Sequence, residues 1–126
     1  MQPDQPAPLA REAVDALVRI GTKSDIERLI GMADQLADGG VQRIADGLLA
    51  SDAMLGEAAT NTLARRTARS RSQSLRLAVA RALDRQRLLG NAAAIPALGQ
   101  MRSTAASRDE LRLILNAQRD AGVVSR

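Results

Sequence analysis

The chain has no cysteine, no histidine, and no Phe, Tyr or Trp. Without cysteine there is no disulfide and no thiolate metal site. Without histidine the commonest general base and the commonest metal ligand are both missing. The single lysine, Lys23, sits in the polar stretch TKSD, which reads as a solvated loop. Neither a P-loop nor a GxGxxG fingerprint occurs. Asp15, Asp34, Asp38 and Asp46 fall on polar faces, and a hard cation needs more oxygens converging in space. A non-enzymatic protein without cofactor or metal is expected. No apolar run approaches the roughly 18 residues that would suggest a membrane span. The N-terminus, MQPDQPAPLAREA, lacks the basic start and apolar run of a signal peptide, so a cytoplasmic location is expected.

With no aromatic rings, a core in this 126-residue chain must be built from Leu, Ile, Val, Met and Ala. Alanine has the best helix propensity and lets helices approach closely. The β-branched and aromatic strand formers are scarce. The fold class expected is all-α, with about seven short helices in one domain. Residues 1–7 read as a flexible arm, 8–122 as the helical domain, and 123–126 as a frayed tail.

Apolar periodicity places the helices. Leu9, Ala13, Ala16, Leu17 and Ile20 form a first stripe, stopped by Gly21. Ile26, Leu29, Ile30, Ala33, Leu36 and Ala37 form a second, with Gly39-Gly40 as its end. A short third helix carries Val41, Ile44, Ala45, Leu48 and Leu49. The fourth is expected from about Ala53 to Ala68, burying Leu55, Ala58, Ala59, Thr62 and Leu63, and Ser70-Arg71-Ser72 reads as a joint. The fifth runs from about Gln73 to Leu89, with Leu75, Val79, Ala82, Leu83 and Leu89 inward and Leu77 and Leu88 on its other side. The sixth runs from about Ala92 to Met101, with Ile95, Leu98 and Met101 inward. The seventh spans about Ser107 to Ala121, opens on a Ser107–Glu110 capping-box spacing and carries the stripe Leu111, Ile114, Leu115 and Gln118.

A weak repeat is visible. Ile26-x-x-Leu29-x-x-Met32 returns in the second half of the chain as Ile95-x-x-Leu98-x-x-Met101. That offset suggests two units of about 35 residues with two helices in each. The stretch AAAIPALGQM followed by RDELRLILNAQRDAG resembles one HEAT repeat, through Ile95, Pro96, Leu98, Arg112 and Ala117. LRLAVARAL and EAATNTLARR resemble the second helix of such a unit. The resemblance implies a HEAT-like α-solenoid serving as a scaffold or binding surface. An irregular helical bundle is the other architecture these stripes allow.

Charge is unevenly placed. Residues 1–60 hold ten acids and five bases, and residues 61–126 hold four acids and thirteen bases. Between positions 65 and 87 lie eight arginines and one acid: Arg65, Arg66, Arg69, Arg71, Arg76, Arg81, Arg85 and Arg87, with Asp84. Helical spacing pairs Arg65 with Arg69 and Arg81 with Arg85, so adjacent helices would align a basic ridge. Guanidinium groups bind carboxylate or phosphate bidentately. The ridge is open to four readings: a solvated helix face, a site for an acidic protein, a nonspecific nucleic-acid backbone grip, or a contact with anionic lipid. Base-stacking aromatics are missing, so any nucleic-acid contact would be to phosphate. A protein-binding adaptor, accessory subunit or scaffold is the expected function, with nucleic-acid backbone binding as the alternative. Head-to-tail self-association between the acidic and basic halves is a further expectation.

Overall fold

A computed structural model describes residues 23–122, and the expected first helix at 9–20, the arm and the tail at 123–126 lie outside them. The described residues form six α-helices and no strand. We number them α1 (Lys23–Gly31), α2 (Asp38–Leu49), α3 (Glu57–Ala68), α4 (Gln73–Leu88), α5 (Ala94–Arg102) and α6 (Arg108–Asp120). A 3₁₀ turn, Ala33–Gln35, joins α1 to α2. None of these helices is long and apolar enough to cross a membrane.

The helices pack as three consecutive pairs in two layers. In one layer α1 lies on α3 and α3 on α5, and in the other α2 lies on α4 and α4 on α6. Each helix also packs on its hairpin partner, and α4 contacts α5 of the following pair. The first layer has a regular buried register. Ile26, Leu29, Ile30 and Ala33 of the first pair recur, at one constant offset, as Thr60, Leu63, Ala64 and Thr67 of the second. The same offset leads on to Ala94, Ala97, Leu98 and Met101 of the third. This i, i+3, i+4, i+7 stripe is what an amphipathic helix presents to a core. It also moves the repeat by one position. Ala94, not Ile95, takes the place of Ile26, and Ile95 is only half-buried.

The ends follow local chemistry where a cap is present. Ser72 caps α4 by accepting from Leu75 N at 3.2 Å, and Ser107 caps α6 by accepting from Glu110 N at 3.1 Å. Gly90 and Gly122, with φ of 104° and 82°, close α4 and α6 in the left-handed conformation that glycine adopts without strain.

Further expectations fail, the first two through contacts distant in sequence. The second helix ends at Gly31, and Gly39-Gly40 lies in the first turn of α2 instead of stopping α1. The turn between them is held from outside by the Arg66 side chain, which donates to Ala33 O and Leu36 O. The fourth helix starts at Glu57, not near Ala53, because 51–56 is pinned as irregular chain. Gln86 accepts from Leu55 N at 2.7 Å and donates to Ala53 O at 2.8 Å, and Asn91 donates to Leu55 O at 3.1 Å. Glu27 accepts from Gly56 N. Finally, α3 buries Thr60 and Thr67 while Ala58 is exposed. Both threonines satisfy their hydroxyls inside the helix, donating to Gly56 O and Leu63 O at 2.8 Å, so they bury without an orphaned donor.

Candidate interaction surface

The arginine-rich segment divides by packing into two groups. Arg66, Arg69, Arg76, Arg85 and Arg87 are engaged within the chain. Arg65, Arg71 and Arg81 are exposed and make no hydrogen bond or ion pair with the described residues.

Arg76 is the most deeply placed, at 1% exposure, with Glu110 at 0%. Its Nε donates to both Glu110 oxygens, at 2.9 and 3.0 Å. Nη1 donates to Thr67 O, Ala68 O and Ser70 O at 3.0–3.1 Å. Nη2 donates to Met101 O at 3.0 Å and to Thr104 Oγ1 at 2.9 Å. The last carbonyls of a helix have no intrahelical partner, and a guanidinium with five donors in a fixed fork suits them. One side chain thereby ties the ends of α3 and α5 to the start of α6. Glu110 Oε1 also accepts from Ala106 N at 2.9 Å, one residue short of the capping-box partner expected from its spacing.

Arg66 does the same task one pair earlier. It donates to Ala33 O and Leu36 O at 3.0 Å, and it pairs with Asp38 at 2.8 Å. Ala33 and Leu36 hold the places in the first pair that Thr67 and Ser70 hold in the second. The hydrogen bond from Arg66 holds the Asp38 carboxyl below the ordinary 3.8, helped by the Ser70 hydroxyl and by the arginine's charge, while partial burial opposes the shift. Arg69 pairs with Asp34 at the surface. Arg85 donates to Ser51 O at 3.0 Å and pairs with Asp52 at 2.6 Å, and Arg87 pairs with Asp84 at 2.7 Å. The charge asymmetry of the sequence is thus partly cancelled inside the chain: Asp34, Asp38 and Asp52 of the first half each meet an arginine of the second.

The packing leaves a different surface open. α4 lies between α2 and α6 and buries eight residues, whereas among the described residues α6 has α4 as its single neighbour in that layer and buries four. On the far side of α6, Arg108, Leu111, Arg112, Leu115, Asn116 and Arg119 form one stripe lining a shallow groove of about 240 Å³. Leu111 and Leu115 are half-buried, and the three arginines are exposed with no ion pair among the described residues. By periodicity alone Leu111 and Leu115 count as core, and Arg108 and Arg119 attract no role. The signal that marks this surface is a helix apolar on two sides, with Leu111 and Leu115 on one and Ile114 and Ala117 on the other.

The chain matches no family model, no curated protein and no solved structure. Among the described residues no three Asp, Glu, His or Cys side chains gather as metal ligands. The chemistry this surface offers is recognition: two leucines for apolar contact, and guanidinium donors for an anionic group beside them.

Proposed function

We propose that this chain is a helical-repeat interaction module, of the HEAT-like kind its sequence resembles, that binds another protein as an adaptor, accessory subunit or scaffold. Three helix pairs, with a buried register that recurs at a constant offset, support the repeat reading. Repeat stacks gain stability by burying each pair against the next, and among the described residues no further helix pair packs on the outer side of α6. The observation that carries the binding reading is the outer side of α6, where Leu111 and Leu115 lie among three exposed arginines that hold no ion pair among the described residues.

Nucleic-acid backbone binding by the arginine segment finds less support. Arg76 is buried, and Arg66, Arg69, Arg85 and Arg87 already hold carboxylates or carbonyls, which leaves Arg65, Arg71 and Arg81 for phosphate. A grip with so few phosphate contacts gives weak, salt-sensitive binding.

Site-specific cross-linking tests the reading. A benzophenone amino acid replaces Leu115 in the chain expressed in its own host, and light is applied. A discrete protein adduct that resists nuclease and disappears when the probe sits at Ala78 is the expected result. Adducts that nuclease removes would reverse the order of the two readings, and no adduct would reject the module.

A further inference from the structure

The geometry points to an acidic amphipathic helix of a partner protein as the occupant of the outward stripe of α6. This inference rests on the interaction-module reading and narrows it to one surface and one chemistry. From Arg108 to Arg119 the stripe covers about 16 Å of helix axis, or room for roughly three turns of a partner helix. In this layer the neighbours of each helix are other helices, so the shape that continues the stack is a helix. Leu111 and Leu115 are four apart and present the kind of ridge that packs into a facing helix groove. Arg108, Arg112 and Arg119 border that ridge, and each can take a carboxylate in two hydrogen bonds.

Charge decides among the occupants. In a second copy of this chain Asp34, Asp38 and Asp52 are ion-paired within the molecule, and the exposed acids without an ion pair among the described residues, Asp46, Glu57 and Asp109, lie one each on α2, α3 and α6, so no described helix carries a row of them. A nucleic-acid backbone would satisfy the arginines but leave both leucines without apolar contact. A leucine-bearing helix with Asp or Glu along its flanks answers both halves of the stripe.

A displayed library of helical peptides about five turns long, with a fixed leucine stripe and random flanking positions, is selected on the full chain. The expected result is enrichment of Asp and Glu over Lys and Arg at the flanks, with binding that weakens at high salt and falls about tenfold or more on Arg108→Glu/Arg112→Glu, as loss of complementary charge predicts. That variant, selected afresh, should instead enrich Lys and Arg. Leu111→Gln should lose the original binders while keeping the helical circular dichroism and urea midpoint of the parent. Enrichment without charge preference, unchanged binding to Leu111→Gln, or no enrichment overturns the proposal. So does self-association in sedimentation that Leu111→Gln abolishes, since the occupant is then a second copy. If the selection fails while the cross-linker at position 115 still yields its protein adduct, the acidic-helix proposal falls and the module stands. If both fail, both are wrong.

Discussion

The joint between the first and second helix pairs and the joint between the second and third solve the same problem differently. At both, the carbonyls that end a first-layer helix are turned toward an arginine. At the second joint Arg76 and Glu110 are sealed from water, and the guanidinium spends its donors on two helix ends and a carboxylate. At the first joint Arg66 is 12% exposed and Asp38 46%, and the accompanying Arg69–Asp34 pair lies in the open at 63% and 70%. Exposed ion pairs contribute little, whereas breaking a buried one strands a charge that no water can reach. The difference teaches that arginine count along a segment says little about what its arginines do. Two with the same partners in kind differ in burial and in the number of hydrogen bonds they make, and so in the expected cost of removing them.

Removing the buried clamp should have the largest effect. Arg76→Met leaves the Glu110 carboxylate and several helix-end carbonyls unpaired, at a cost of about 3–5 kcal/mol. Urea denaturation followed by circular dichroism should show most of the stability of a small domain lost. Gln86→Leu comes next. It keeps the side-chain volume but orphans Leu55 N–H and Ala53 C=O, for about 2–3 kcal/mol by the same measurement. Arg66→Ala, at the wetter joint, should cost about 1–2 kcal/mol, because water reaches part of what it uncovers.

Acid sharpens the comparison further. The Asp38 carboxyl titrates below 3.8 in the folded chain, chiefly through its hydrogen bond from Arg66. Between that lowered value and 3.8, the unfolded chain binds a proton that the folded chain does not. Stability from this pair is therefore fully present above 3.8 and is lost as pH falls through that window. Urea midpoints measured in acid through that window should fall with pH in the parent and fall less steeply in Asp38→Asn. The smallest effect belongs to the exposed group. Arg81→Ala should shift stability by no more than about 0.5 kcal/mol, as surface substitutions without partners do.

The all-helical class and most helix bodies are legible in the sequence because stripes of Leu, Ile and Ala at helical spacing are local signals. The start of α4 at Gln73, the Ser107 cap of α6 and the stops at Gly90 and Gly122 are legible for the same reason. What is not legible depends on side chains arriving from a neighbouring helix pair. Nothing near Gly39-Gly40 announces that Arg66 will hold the preceding turn and let α2 begin at Asp38. Nothing near Ala53 announces Gln86 and Asn91. The role of Arg76 does leave a trace. It precedes Val79, Ala80 and Leu83 at i+3, i+4 and i+7, the place of an apolar residue in a core stripe, and Glu110 stands likewise before Ile114 and Ala117. A cation and an anion at matching stripe positions, separated by about one repeat length, make a readable buried pair. The α6 surface is the harder part, since Leu111 and Leu115 look like core until α6 is seen to have, among the described residues, no helix on the outer side of its layer.

Within the arginine-rich segment, Arg66, Arg69 and Arg76 join one helix pair to the next. The most direct test compares urea midpoints of Arg76→Met with those of the triple variant Arg65→Ala/Arg71→Ala/Arg81→Ala, side by side with the parent. The single substitution should lower the midpoint by most of its value and the triple should leave it nearly unchanged. A triple variant destabilised as much as Arg76→Met, or an Arg76→Met protein as stable as the parent, would contradict the account.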